Sequence, residues 1–295
     1  MKKEISVGSK DTPLTLLSGI TFAQVPYWFP FYEQKNLKMD IILPFRRTDE
    51  KPRPLLLWVC GGAWITMDRS AHIPWLSHIA RRGFTVASVE YRLSNNAHFP
   101  AQLEDIKKAV RYLRAHATAY GIDPDRIAVG GESAGAYLAA MAGASNGRKE
   151  YDKGEYLEQS GDVQAVIDYY GPACFTLEPP CASAAESQVT ASAPESLSPA
   201  HMLLGYDPMK HPDKAALSAP LSLITPSAPP FFIAHGTEDH IVPIINSELL
   251  YAELEKNNVP AEFYAIRNAG HADMQFYQEE MAEKIVDFLL CHLGS

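Results

Sequence analysis

Arg126-Ile127-Ala128-Val129-Gly130-Gly131-Glu132-Ser133-Ala134-Gly135-Ala136-Tyr137-Leu138-Ala139-Ala140-Met141 is the stretch whose reading decides the fold. Its first half is a short apolar run suited to a buried strand, and its second half, rich in Ala, Leu and Met, suits a helix. Between them lies Gly131-x-Ser133-x-Gly135, the spacing of a nucleophile elbow. So tight a turn leaves no room for bulky Cβ substituents beside the serine, hence the flanking glycines. Ser133 then stands at the mouth of a helix whose free N–H groups and dipole can stabilise negative charge. At average Gly and Ser usage the bare pattern arises by chance about 0.1 times in a chain this long. The strand before it and the helix after it make chance a poorer account still.

Outward from the elbow, strand and helix patterns alternate. On the N-terminal side, Leu55-Leu56-Leu57-Trp58-Val59 is a continuous apolar run of the kind found in strands buried on both faces. It ends in Cys60-Gly61-Gly62-Ala63-Trp64. A helix is expected over 71–82, a strand over 84–89, and a long helix over 101–120 with Leu103, Ile106, Val110 and Leu113 on one stripe. Gly121 is placed to cap that helix. Residues 19–43 alternate apolar and polar groups, as one or two edge-type antiparallel strands would. On the C-terminal side, strands are expected over 163–170, 231–235 and 261–266, and helices over 244–257 and 274–292. The polar stretch 146–161 reads as a surface excursion. Alternation of this kind implies an α/β fold, a mostly parallel sheet covered by helices on both faces.

Residues 173–230 break the pattern. They are rich in Pro, Ser and Ala, with little periodicity beyond short helices near 199–205 and 213–218. A structureless loop of that length is unusual inside a compact domain, so the expectation is one α/β domain spanning 1–295 with a cap or lid inserted at 173–230. A peripheral extension with no role in substrate choice is the plainer alternative.

With 295 residues and 46% hydrophobic content, the chain can build a large core. A net charge of −9 argues against nucleic acid or anionic membrane as the main partner. No apolar run approaches the roughly 18 residues that span a bilayer. The N-terminus carries basic residues but no apolar core of a signal peptide, so a cytoplasmic location is expected. Self-association into a homo-oligomer stays open. Cys60, Cys174, Cys181 and Cys291 are scattered, as reduced thiols would be, although Cys174 and Cys181 are near enough in sequence to bridge.

A serine hydroxyl needs a general base, usually a histidine oriented by a carboxylate. Elbow chemistry orders these as Ser, then Asp or Glu, then His. Asp239 lies just past the strand ending at His235, and His271 just past the strand ending near Ile266. Loops at the carboxyl ends of parallel strands share one edge, so Ser133, Asp239 and His271 can meet there. Glu238 is a weaker competitor for the acid role, and helix capping is the structural alternative for Asp239. His235 and His240 sit beside the acid, His201 and His211 in the expected cap, and His292 at the chain end. The chemistry also needs backbone N–H groups where tetrahedral charge develops. Gly62, Ala63 and Ala134 are the candidates. Trp64, Tyr137, Tyr170 and Ile241 are candidates for an apolar substrate-binding wall. Acyl transfer of this kind calls for no cofactor, and His235, Asp239 and His240 fit no common zinc spacing, so no metal is expected.

With these motifs in hand, the chain resembles the α/β-hydrolase superfamily. More closely, it is similar to esterases and lipases related to hormone-sensitive lipase, and to bacterial esterases acting on acetylated or feruloylated carbohydrates. The resemblance covers most of residues 37–292. It is carried by Cys60–Trp64, Tyr91-Arg92-Leu93, 99–105, 121–126, the elbow, His235-Gly236-Thr237-x-Asp239-x-x-Val242-Pro243 and Gly270-His271. It departs from the family where Cys60 replaces the usual His, where Ala63 replaces a third glycine, and where Glu132 stands in the elbow. The resemblance implies a structural role for Asp105 on the helix after Pro100. It implies a serine carboxylesterase for small-molecule esters with short or aromatic acyl groups. A peptidase or amidase on the same fold is the first alternative. A ligand-binding member without catalysis is the second.

Overall fold

The computed structural model of the chain describes residues 3–6, 12–26, 34–45, 51–177 and 198–294. Its centre is an eight-stranded sheet in the order β1-β2-β4-β3-β5-β6-β7-β8. The strands are β1 (Leu14–Pro26), β2 (Gln34–Pro44), β3 (Arg53–Val59), β4 (Thr85–Val89), β5 (Ile122–Glu132), β6 (Ala165–Tyr169), β7 (Phe231–Gly236) and β8 (Ala261–Ile266). From β4 across to β8 every pairing is parallel, whereas β1 and β2 form an antiparallel hairpin joined antiparallel to β4.

The run Leu55–Val59 shows why a strand without alternation belongs in the middle. All five side chains are fully buried, and successive residues feed opposite cores. Leu55, Leu57 and Val59 join one core with α2 (Ala101–Ala115), α4 (Ala134–Ala144) and α7 (Ile245–Lys256). Leu56 and Trp58 join the other with α1 (Ile73–Arg81) and α8 (Glu279–Leu293). Every residue of α4 is buried, so this helix, with no polar face, is a core element rather than a surface one.

Three expected elements differ in extent. The helix expected over 101–120 breaks at His116 into α2 and α3 (Ala117–Tyr120), with Gly121 in the left-handed conformation closing it. His116 sits at that break: its backbone N–H keeps the helical bond to the Tyr112 carbonyl at 3.0 Å, its ring Nδ1 lies 2.8 Å from the same oxygen, and its φ of −103° and ψ of 18° leave the helical range. The helix expected from 274 starts instead as a 3₁₀ turn, Met274–Tyr277, and resumes as α8 after an extended Gln278. That turn buries Phe276 and brings the Tyr277 hydroxyl within 2.6 Å of the Tyr170 hydroxyl. The strand expected over 163–170 is shorter, because Tyr170 turns the chain with φ of 44°.

Between β6 and β7, the described part of the 173–230 stretch contains α5 (Pro199–Leu204), α6 (Pro212–Ala216) and a 3₁₀ turn at Pro220–Ser222. Ser198 caps α5 through its hydroxyl. The question of a Cys174–Cys181 bridge lies outside the described residues, since 178–197 are not among them. The polar 146–161 excursion is gripped by α2: Arg111 reaches the Asp152 carboxylate at 3.1 Å and the Glu155 carbonyl at 3.2 Å. Asp105 is fully buried and holds Arg92 through both carboxylate oxygens.

Candidate active site

Ser133 sits between β5 and α4 with φ of 52° and ψ of −121°, a backbone region that L-residues rarely occupy. Its N–H donates to the Tyr169 carbonyl at 2.8 Å, which fastens the turn to β6. Gly135 cannot be replaced cheaply: a Cβ there would overlap the backbone of Val59 at the end of β3. The strain at Ser133 is thus held by neighbours on both sides, and the Oγ is presented at the carboxyl edge of the sheet.

His271 and Asp239 arrive at that edge from β8 and β7. Ser133 Oγ lies 2.9 Å from His271 Nε2, and His271 Nδ1 lies 2.7 Å from Asp239 Oδ2. A carboxylate facing Nδ1 keeps the proton there, leaving Nε2 free to accept from the serine hydroxyl. Asp239 Oδ1 accepts the N–H groups of Ile241 and Val242, each at 2.9 Å. Burial works to raise the Asp239 pKa, but hydrogen bonds from His235 and His271 outweigh it and hold the carboxyl well below the usual range. The carboxylate is therefore charged throughout the working pH range.

His235 is a brace. It is fully buried, with Nε2 facing the Val242 carbonyl at 2.8 Å and Nδ1 facing Ser247 Oγ at 2.7 Å. A carbonyl only accepts, so Nε2 carries the proton and Nδ1 takes the Ser247 hydroxyl. Among the described residues, no group of three or more His, Cys, Asp or Glu side chains is arranged to hold a metal ion.

The turn after β3 faces Ser133. Gly62, Ala63 and Trp64 have φ of 113°, 55° and 59°, three consecutive residues in the left-handed half of the map. A Cβ on Gly62 would overlap the Thr66 carbonyl, so this position requires glycine on two counts. The Gly62 carbonyl accepts from Ile65 and Thr66, and the N–H groups of Gly62 and Ala63 have no partner among the described residues. Ala134 begins α4, so its N–H has no intrahelical acceptor either. The Trp64 indole donates to the Ala134 carbonyl at 3.0 Å and ties the two turns together. Burial raises the Cys60 thiol to about 12, which keeps it from competing as a nucleophile.

A cavity of about 380 Å³ opens beside the serine. Its walls are Ala63, Trp64, Ser133 and Ala134 from the two turns, Phe175 and Leu177 after β6, Met209 after α5, and Ile241–Pro243 after β7. Of the four residues expected in an apolar wall, Trp64 and Ile241 line this cavity, whereas Tyr137 and Tyr170 do not. Tyr137 is fully buried beneath Trp64 and Phe175, with its hydroxyl given to the Ser218 carbonyl at 2.7 Å. One helical turn past the serine, the Tyr137 side chain points into the core, so it supports the wall without forming it. Tyr170 packs edge-on against the His271 ring at 4.8 Å, with its hydroxyl engaged by Tyr277. It backs the histidine, away from the cavity. Phe175, Leu177 and Met209 escaped the sequence reading because nothing periodic marks them. Asn246, whose Oδ1 accepts the N–H groups of Ala173 and Cys174, escaped it too.

Comparison with known proteins gives the family. The BD-FAE family description matches residues 39–254, and the chain belongs to that family. It is an α/β-hydrolase of the esterase branch related to hormone-sensitive lipase. Esterase LipQ of Mycobacterium tuberculosis is 32% identical over 83% of this chain, which spans 58% of LipQ. A truncated carbohydrate esterase from gut microbiota superposes with a TM-score of 0.80 at 26% identity, covering 97% of this chain and 99% of its own. A bifunctional GH43-CE protein of Bacteroides eggerthii superposes at 0.79 with 28% identity, covering 95% of this chain and 35% of its own. The chain spans about half the length of the curated relatives it matches, 58% of LipQ and 55% of esterase LipC. No helix among the described residues is long and apolar enough to cross a membrane.

Proposed function

We propose that this protein is a serine carboxylesterase working through an acyl-enzyme. The observation that carries the reading is the unbroken line from Ser133 Oγ to His271 to Asp239 at 2.9 and 2.7 Å, opening onto an apolar cavity. His271 Nε2 takes the serine proton as Oγ attacks the ester carbonyl. Asp239 stabilises the imidazolium that forms. The N–H groups of Gly62, Ala63 and Ala134 receive the developing oxyanion, each worth about 3 kcal/mol. His271 then protonates the departing alcohol, and water repeats the sequence to free the acid.

The same chemistry assigns the cavity. The leaving oxygen has to meet the proton on His271, so the alcohol lies on the histidine side. The cavity is walled by the two turns, by residues on either side of 178–197, by Met209 and by Ile241–Pro243 from the Asp239 loop, and among the described residues His271 does not line it. It therefore suits the acyl group. Trp64, Phe175, Leu177 and Met209 favour a butyryl-sized or aromatic acyl group, feruloyl included, over acetyl. Phe175, Leu177 and Met209, from the described part of the 173–230 stretch, close this acyl side as a cap would. The neighbouring carbohydrate esterases favour a sugar as the alcohol.

Activity of Ser133→Ala on p-nitrophenyl butyrate tests the mechanism. Loss of hydrolysis and of fluorophosphonate labelling in a folded variant is expected, and full activity would end the proposal. Side by side, butyryl and feruloyl esters should exceed the acetyl ester in kcat/KM, and the butyryl anilide should react far more slowly than its ester. A preference for acetyl would refute the assignment of the cavity.

A further inference from the structure

The serine mechanism leaves one charged side chain at the centre of the site without a task. Glu132 precedes Ser133 in the elbow, yet its carboxylate turns away from the serine. Its Oε1 accepts the N–H of Gly61, at the base of the turn that carries Gly62 and Ala63. The fit is close enough that a Cβ on Gly61 would overlap the Glu132 carboxyl group. Glu132 is mostly shielded, with a side-chain exposure of 12%, and His72 Nε2 stands 3.5 Å from the same oxygen. The His72 ring is itself stacked on Tyr277 at 4.7 Å, so this partner is fixed as well.

The turn it grips is one that would not hold its shape unaided. Three successive residues with positive φ, two of them not glycine, persist only where the surroundings over-determine them. Three of those constraints are visible in addition to Glu132. Tyr91 donates its hydroxyl to the Cys60 carbonyl at 3.0 Å, Ser94 donates to the Trp64 carbonyl through both N–H and Oγ, and the Trp64 indole reaches Ala134. Tyr91, Ser94 and the indole fasten Cys60 and Trp64, the outer residues of the turn. Glu132 grips the peptide that leads directly into Gly62.

We infer that Glu132 is a positioning residue that sets the aim of the Gly62 and Ala63 N–H groups by anchoring Gly61, so that the elbow which presents the nucleophile also places its oxyanion donors. One residue thereby links the two halves of the reacting geometry: Ser133 follows it in the chain, and Gly61 hangs from its carboxylate. An acceptor is what the anchor requires, and an amide oxygen supplies one as well as a carboxylate does. The inference rests on the serine-esterase reading.

The test compares Glu132→Ala, Glu132→Gln, Gly61→Ala and the double variant Glu132→Ala/Gly61→Ala, with Ser133→Ala as the blank and thermal melting as the check on folding. Glu132→Ala should lower kcat about 10- to 100-fold with KM within about threefold, because donors displaced by a fraction of an ångström weaken the transition state more than the ground state. Affinity for an arylboronate, which mimics the tetrahedral state, should fall in proportion to kcat. Glu132→Gln should restore most of kcat. Should Glu132→Ala be poorly folded, the cycle still decides: the double variant should be no worse than the poorer single variant, as expected for groups in direct contact. An unchanged kcat, a loss confined to KM, a Gln variant no better than Ala, or additive effects would each overturn the inference. If Ser133→Ala retains activity, it is the esterase reading that fails instead.

Discussion

Two glycine turns face each other across the ends of β3 and β5, and they are held by different means. The elbow is held by backbone. Ser133 donates to Tyr169 on the next strand, Gly135 lies against Val59, and α4 behind it is buried throughout. The turn at Gly61–Trp64 is held largely by side chains: Glu132, Tyr91 and Ser94 from outside it, and its own Trp64 reaching across to Ala134. A turn gripped by packed backbone should answer to mutation through stability. One gripped by polar side chains should answer through the aim of its N–H groups.

Gly62→Ala gives the largest expected effect on that contrast. Its Cβ meets the Thr66 carbonyl at a positive φ, so the donors must move. We expect kcat to fall about 10²- to 10³-fold, equivalent to roughly 3–4 kcal/mol, with a smaller loss of thermal stability. A variant with near-normal kcat would show that these N–H groups are not the donors. Gly135→Ala should do the reverse. Overlap with Val59 should cost about 3 kcal/mol of stability, read as a lower urea midpoint, before any effect on the activity of the folded fraction.

Asp168 on β6 probes the platform beneath the elbow. Burial raises its pKa to about 6, against a lowering by the Gly171 N–H and by His235. A carboxyl whose folded pKa lies above its unfolded value of about 3.9 binds more protons in the folded state. Its stabilising protonation is present below about pH 4 and is lost as pH rises through about 6. Asp168→Asn keeps an acceptor for Gly171 without the charge. It should be more stable than the parent at pH 8, by about 3 kcal/mol, with the gap closing near pH 4. A gap that stays constant with pH would mean the carboxyl is not titrating there. The smallest effect is expected for Trp64→Phe, which removes one buried hydrogen bond to Ala134 and should cost about 1 kcal/mol with only a few-fold change in kcat.

The two turns also differ in how far they can be read without coordinates. Gly131-x-Ser133-x-Gly135 is a local pattern whose steric demands fall on adjacent residues, so it survives in one dimension. Asp239 and His271 follow from it, because loops after parallel strands must share an edge. The turn at Gly61 is legible only as a glycine pair. That Glu132 anchors it, and that Tyr137 and Tyr170 support the wall and the histidine without lining the cavity, depends on side-chain directions that no spacing reveals. The breaks at His116 and Gln278 belong to the same category: both residues leave helical backbone angles, and neither residue type marks the departure.

The order of strands and helices, and the three side chains that meet at Ser133, are legible in the sequence itself, through residue periodicity and short-range sterics. The size and side of the cavity were decided only in three dimensions. Its walls, Trp64, Phe175, Leu177, Met209 and Ile241, come from four separate loops. Apolar residues in loops carry no period, and only packing reveals which of them share a space.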